Sequence, residues 1–251
     1  MTTGTRDAVR RIVETAIENQ PRSQQATIGP SEIGIPCDRC LGHKLAGTPQ
    51  HRDVAWLPYI GTAVHALFEQ VFMAESLAAD AAGRMSRWCP ETKLHVGEID
   101  GEPILGSCDL FDVEAGVVVD FKIVGKTTLT TARIGPSEQY RVQAHLYGRG
   151  WQLYGHQVND VAIWYLPRNA TTLDAGIWWS EPYDETVATA ALTRADALAR
   201  GIRLAGADVV LPQLARTPGC WDCPRFPAYP TDSPLPTRGG EPFADLVGRS
   251  A

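Results

Sequence analysis

Two cysteine pairs near opposite ends of the chain constrain its fold more than any other feature. Cys37-Asp38-Arg39-Cys40 and Cys220-Trp221-Asp222-Cys223 share the CxxC spacing, and most of the 251 residues lie between them. The first residues carry charge (Arg6, Asp7, Arg10, Arg11, Glu14) where a secretory signal needs an apolar run, so the chain reads as cytosolic. In that compartment paired cysteines point to a metal or cluster site before they point to disulfides. If the four thiols share one site, the two ends of the chain must meet. A zinc ion held by four thiolates and an iron–sulfur cluster would use the same ligands, so the thiols alone leave both open. The other two cysteines, Cys89 and Cys108, fall in or near strand-like segments and read as small core residues.

The segment from Gly106 to Lys122 carries the strongest local signal between the cysteine pairs. Two apolar, β-branched runs flank Glu114-Ala115-Gly116, which predicts a β-hairpin. Each run holds a carboxylate where the pattern would place a hydrophobe, Asp109 in one and Asp120 in the other. Strand alternation puts Asp120 and Lys122 on one face, with Phe121 and Ile123 on the other. Should the hairpin bring Asp109 beside Asp120, the two carboxylates would repel unless a cation sat between them, and hard oxygen ligands suit Mg²⁺ or Mn²⁺. On this stretch alone, two solvent-facing aspartates of a half-exposed hairpin are an equal reading.

Taken in order, residues 7–19 show a helical stripe of Val9, Ile12, Val13, Ala16 and Ile17. Residues 20–36 read as linker or loop. A clear helix opens at Gly61, with Val64, Leu67, Phe68, Val71 and Phe72 as its core stripe and His65 and Glu69 one turn apart beside it. The glycine at its start would permit close approach of a backbone or ligand. Strands follow over 93–99, 104–113 and 117–124, with Asp100-Gly101 as a turn between the first two. A Thr- and Gly-rich loop is expected over 125–135, a helix over 137–154, a strand over 158–166, a short strand over 176–179 and a helix over 184–205. The proline-rich end, from Pro224 through Pro242, predicts little regular structure. This order predicts a mixed α/β fold, a central mixed sheet flanked by helices. The organisation expected is a core over 61–206, between an N-terminal segment 1–60 and a C-terminal segment 207–251 that each carry a cysteine pair, all in one compact unit. Trp164 and Trp178 lie in strand-like runs and read as core. A net charge of −6 argues against bulk attraction to nucleic acid but leaves room for a local basic groove. No apolar run approaches the length of a membrane span.

Four motifs together resemble the RecB-like branch of the PD-(D/E)XK nuclease superfamily. Gly61-Thr62-Ala63-Val64-His65 with Glu69 looks like its first motif, Gly106-Ser107-Cys108-Asp109 its second, Asp120-Phe121-Lys122 its third, and Gln143-Ala144-His145-Leu146-Tyr147 the QxxxY element. Their order, and the helix–strand–strand–strand–helix–strand context, match a restriction-endonuclease-like core. The bracketing cysteines are similar to those of the iron–sulfur nucleases of that branch, the CRISPR-associated exonucleases of the fourth Cas family and the AddB-like helicase-nucleases. Those Cas exonucleases place one cysteine before the core and three after, whereas this chain places two and two. The resemblance and the Cys223-Pro224 step favour a four-iron four-sulfur cluster on Cys37, Cys40, Cys220 and Cys223, with structural Zn²⁺ as the alternative.

The resemblance implies a metal-dependent deoxyribonuclease that uses Mg²⁺ or Mn²⁺ on single-stranded DNA or DNA ends, in phage or bacterial recombination, repair or CRISPR spacer acquisition. It implies His65, Asp109, Asp120 and the backbone carbonyl of Phe121 as metal ligands. Lys122 would orient or deprotonate the attacking water, and Glu69 would support Lys122 or a metal-bound water. Gln143 and Tyr147 would line the DNA groove, with Lys126, Arg133, Arg141 and Arg149 as candidate phosphate contacts. The partners implied are DNA and recombination or CRISPR-adaptation proteins, with self-association left open. A catalytically idle DNA-binding or assembly module of the same fold, an endonuclease, and a zinc-stabilised regulatory protein are the competing readings.

Overall fold

The computed structural model describes residues 2–20, 27–50, 54, 56–218, 220 and 222–229. Eight α-helices and five strands occupy them: α1 (Thr2–Glu18), α2 (Pro30–Ile33), α3 (Asp38–Leu45), α4 (Trp56–Ala81), β1 (Trp88–Ile99), β2 (Glu102–Asp112), β3 (Val117–Val124), α5 (Lys126–Ala132), α6 (Glu138–Leu153), β4 (Asp160–Pro167), β5 (Ile177–Pro182), α7 (Glu185–Ala205) and α8 (Ala207–Val210). The strands form one sheet in the order β1-β2-β3-β4-β5. All neighbours are antiparallel except β3 and β4, which α6 joins in parallel. A parallel pair needs such a crossover, because a tight turn can only reverse direction. The result is the mixed α/β sheet with flanking helices that the sequence predicts. No helix among the described residues is long and apolar enough to cross a membrane.

Alternation splits β3 between two layers. Val118 and Val124 enter the large core that α2, α6 and α7 cover, built around Phe111, Leu146, Trp151 and Ile163. Val119 and Phe121 face the other way, into a smaller cluster that Phe68 and Phe72 of α4 close. At the hairpin tip, Asp112 accepts hydrogen bonds from the amides of Glu114 (3.2 Å) and Ala115 (3.1 Å), and Gly116 takes φ +66°. That left-handed conformation is cheap only for glycine.

The chain's two ends meet on α3. The Arg39 guanidinium donates to the carbonyls of Pro212 (2.9 Å) and Leu214 (2.8 and 3.0 Å), and His43 stacks on Phe226 with ring centroids 4.5 Å apart.

Several expectations need correction. The segment expected as linker over 20–36 contains α2, whose Pro30 and Ile33 are buried against the core, while residues 21–26 lie outside the described set. The loop expected over 125–135 is largely helical, as α5, because the glycines that suggested a loop sit at its borders. The helix expected from Gly61 begins at Trp56, so Gly61 lies inside it, with no atom within 4 Å of where a Cβ would be. Two members of its expected core stripe are outside the core: Leu67 is 59% exposed and Val71 57%. Helical period identifies a face without identifying what covers it. Val9, Ile12 and Val13 of α1 are exposed for the same reason, and only Ile17 of that stripe is buried. Trp178 is 53% exposed, because β5 is an edge strand and its alternate residues face solvent. Proline-rich residues from Pro230 onward lie outside the described set.

Candidate active site

The β2–β3 ladder ends early. Pairing runs from Asp112↔Val117 to Leu110↔Val119 and stops, so the two strands fork at Asp109 and Asp120. Beyond the fork the Phe121 amide has no β2 carbonyl to meet, and it donates instead to Asp109 Oδ2 at 2.7 Å. This bond fixes Asp109 against the backbone that joins Asp120 to Lys122. The other oxygen, Asp109 Oδ1, lies 3.3 Å from His65 Nδ1, so α4 delivers its imidazole into the fork. Phe68, one turn beyond His65, holds that helix on the sheet by an edge contact with Phe121 at 5.0 Å.

On the α6 side of the fork, Lys122 Nζ lies 2.5 Å from Asp120 Oδ2, donates to Gln143 Oε1 at 3.0 Å and sits 4.8 Å above the Tyr140 ring. Burial pushes the Asp120 carboxyl up to about 6, with the Asp109 charge adding to it and Lys122 and His65 opposing. The Asp120 side chain is 1% exposed, and neither of its oxygens has a hydrogen bond of good geometry despite the short approach of Lys122. Burial alone would lower the His65 pKa, but its hydrogen bond to Asp109 and the charges of Asp109 and Asp120 outweigh that and raise it.

The structure thus joins His65 and the Phe121 amide to Asp109, and Lys122 to Asp120; Asp120 lies outside the donor group that His65 and Asp109 share. Other candidates sit elsewhere. Glu69 is exposed and makes no hydrogen bond or ion pair among the described residues; Gln143 takes the place beside Lys122 expected of it. Gln143 and Tyr147 are each only 5% exposed, so they contact the cluster from within the fold instead of lining an open groove. Burial and the two aspartate charges push the Tyr147 phenol pKa up. Arg141 is paired with Glu181 at 2.5 Å, and His145 Nε2 lies 2.6 Å from the same carboxylate. Arg149 is likewise paired, with Glu185. Lys126 opens α5 and Arg133 follows its last residue, both exposed and without an ion pair among the described residues.

Sequence reasoning missed Glu91. Its carboxylate, Asp109 and His65 offer donor atoms that all lie within 4.8 Å of one another. Glu91 belongs to β1, where the period reading began only at residue 93. A carboxylate two residues upstream in an alternating segment was the signal available. Imidazole and carboxylate donors converging beside the poorly hydrogen-bonded carboxylate of Asp120 fit a divalent ion of the Mg²⁺ or Mn²⁺ class.

The four cysteine sulfurs also lie within 4.8 Å of one another, with Cys37–Cys223 at 3.6 Å, Cys40–Cys220 at 3.5 Å and Cys40–Cys223 at 3.4 Å. A tetrahedral zinc ion with Zn–S bonds of about 2.3 Å sets its sulfurs about 3.8 Å apart. A four-iron cube stands between its thiolates and holds them farther apart, so the observed spacing suits a single ion better. The hydrogen bond from Cys40 pulls the Cys37 thiol down to about 4, and the same bond raises Cys40. Burial pushes Cys223 up to about 11. Cys37 forms a thiolate readily, whereas Cys40 and Cys223 need a cation to ionise.

No protein-family model matches the sequence, and no characterised protein matches it. Solved structures do. An alkaline exonuclease from Laribacter hongkongensis aligns with a TM-score of 0.49 at 11% identity, covering 75% of this chain and 93% of that one. The same exonuclease in complex with dAMP aligns at 0.46 and 12% identity, over 73% and 91%. A phage-related exonuclease from Haemophilus somnus 129PT aligns at 0.38 and 12% identity, over 73% and 95%. Both proteins are described as exonucleases.

Proposed function

We propose that this chain is a divalent-cation-dependent deoxyribonuclease that hydrolyses phosphodiester bonds at DNA ends or in single strands. The observation that carries the reading is the β2–β3 fork, where an imidazole meets Asp109 and an ammonium meets Asp120 on neighbouring strands. A phosphodiester is anionic and repels hydroxide, and a bound dication would neutralise it and acidify a water molecule. His65, Asp109 and Asp120, with the Phe121 carbonyl, would hold that ion. Lys122, gripped by Asp120, Gln143 and the face of Tyr140, would orient the attacking water and meet the negative charge that develops on the phosphoryl oxygens. The exposed Lys126 and Arg133 are suited to backbone phosphates, whereas Arg141 is committed to Glu181. A recombination, repair or CRISPR-adaptation setting extends this reading and rests on the motif resemblance alone.

At the cysteines we infer one tetrahedral Zn²⁺ that ties the two ends of the chain to the core. The sulfur spacing supports it over a four-iron four-sulfur cluster. Metal analysis of anaerobically purified protein should give one zinc per chain and no visible absorption, and a brown preparation with about four irons per chain would overturn it.

The catalytic reading is tested with end-labelled DNA and Mn²⁺ or Mg²⁺. Wild type should degrade the label only when the ion is supplied, and Asp120→Ala should leave it intact. Equal degradation by both proteins would assign the activity to a contaminant and remove the site.

A further inference from the structure

Helix α4 is long and apolar, yet none of its 26 residues is buried. Phe68 and Phe72 turn towards the sheet, where they meet Phe121. A second stripe runs beside that face. Its first half is Leu57, Ile60, Val64 and Leu67; its second is Val71, Ala74, Ala78 and Ala81. The steps alternate three and four residues from end to end, which keeps every member on one narrow seam of the helix. Leu57, Leu67, Val71 and the three alanines are exposed. A seam with this spacing takes another helix, because its side chains fit the holes between four residues of a facing helix.

Side-chain size tells which helix. The first half of the seam is bulky and the second half small. In two antiparallel copies centred between Leu67 and Val71, each layer joins a larger residue to a smaller one. Leu57 meets Ala81 of the second copy, Ile60 meets Ala78, Val64 meets Ala74 and Leu67 meets Val71. Parallel pairing would set alanine against alanine over the second half and leave gaps there. The exposed apolar surface between Trp56 and Ala81 comes to roughly 600 Å² per copy, so pairing would bury about 1,200 Å², the lower end for specific interfaces. The helix carries no lysine or arginine, and Glu69, Glu75 and Asp80 are exposed on it, which disfavours DNA phosphates or an anionic lipid surface as the cover. We propose that two copies of this chain pair antiparallel through α4, about a two-fold axis between Leu67 and Val71. Such a contact uses the same patch twice and closes as a dimer. It needs no ion at the fork, so it stands or falls separately from the deoxyribonuclease reading.

Analytical ultracentrifugation of the full chain at about 50 µM should give a dimer, twice the 27.3 kDa of one chain. Leu67→Glu puts a charge into the seam from each copy and should sediment as a monomer, with helical content near wild type because this side chain is exposed. Leu153→Glu, similarly exposed at the end of α6, should remain a dimer. If Leu67→Glu does not fold, Ala74→Glu on the same seam takes its place. Combining Leu67→Glu with Val71→Lys should restore the dimer. Antiparallel pairing sets the new carboxylate against the new ammonium, whereas parallel pairing sets like against like. A double variant that stays monomeric would overturn the antiparallel arrangement. A dimer that survives Leu67→Glu or Ala74→Glu, or a wild type that forms trimers, would overturn the proposal. So would a monomeric wild type, and its flotation with phosphatidylcholine vesicles would assign the face to lipid instead.

Discussion

Asp120 is a buried carboxylate whose burial works against its charge while Lys122 supports it. Its folded pKa of about 6 lies above the ordinary carboxylate value, so folding favours the protonated form. Any stability from that shift is complete below the unfolded pKa and disappears as pH rises through about 6. In the metal-free protein at pH 7.5, Asp120→Asn should therefore raise the melting temperature, by something on the order of 1–3 kcal/mol of stability. The gain should vanish near pH 3.5, and calorimetry in chelator at the two pH values reads the difference. An unchanged or lower melting temperature at pH 7.5 would mean that the Lys122 contact fully compensates the burial. Lys122 faces the complementary demand. Its ammonium meets a carboxylate oxygen, an amide oxygen and an aromatic face, three surroundings that all favour a cation. Lys122→Met should lower kcat by about 10²-fold or more while leaving Mn²⁺ affinity near wild type, because the lysine is no ligand. A proportional loss of Mn²⁺ binding would show instead that it supports the metal site.

At the level of elements, the site depends on how two helices are pressed onto the sheet. Helix α4 reaches the sheet through Phe68 and Phe72, whose rings meet Phe121 at 5.0 and 6.2 Å, and much of its remaining apolar surface stays exposed. His65 is therefore positioned by a narrow contact. Phe68→Ala should weaken Mn²⁺ binding by several-fold along with a loss of about 2 kcal/mol of stability, since a half-buried ring costs less than a core one. Binding titrations beside thermal melts would show whether the two effects travel together. On the opposite face, Gly106 of the second motif has a packing reason. A Cβ there would lie 2.6 Å from Pro30 Cγ and 3.3 Å from the Tyr147 ring. Gly106→Ala should cost about 1–3 kcal/mol by pushing α2 away and disturbing Tyr147. A variant as stable as wild type in urea would show that α2 shifts freely.

Over the described residues, the segments around α3 and around residues 212–226 are fastened to each other beside the sheet. Arg39 bonds to the carbonyls of residues 212 and 214, Arg194 to Asp38 and the Ile35 carbonyl, and the four thiols sit within the same region. Removing the ion should loosen this fastening before it reaches the fork, which lies on other elements. Cys40→Ser, or strong chelation, should abolish zinc content and expose the segments around Cys37 and Cys220 to limited proteolysis, with a smaller effect on Mn²⁺ binding. Equal sensitivity of both sites to Cys40→Ser would mean that the two centres form one cooperative unit.

Much of this arrangement was legible in the chain itself. Period-two alternation fixed which face of β3 carries Asp120 and Lys122, a glycine-containing tip fixed the hairpin, and four motif fragments in order located the fork. Matching cysteine spacings implied that distant ends meet. The approach of Glu91 to His65 and Asp109 was not legible, because it arises from strand pairing and from a backbone angle that no local pattern encodes. The close approach of the four sulfurs, the commitment of Arg141 to Glu181 and the exposed faces of α1 and α4 belong to the same class. Local sequence sets torsional preference and the side of an element on which a residue lies. Which side chains come within bonding distance, and which apolar faces find a cover, depend on non-local packing that only the folded chain supplies.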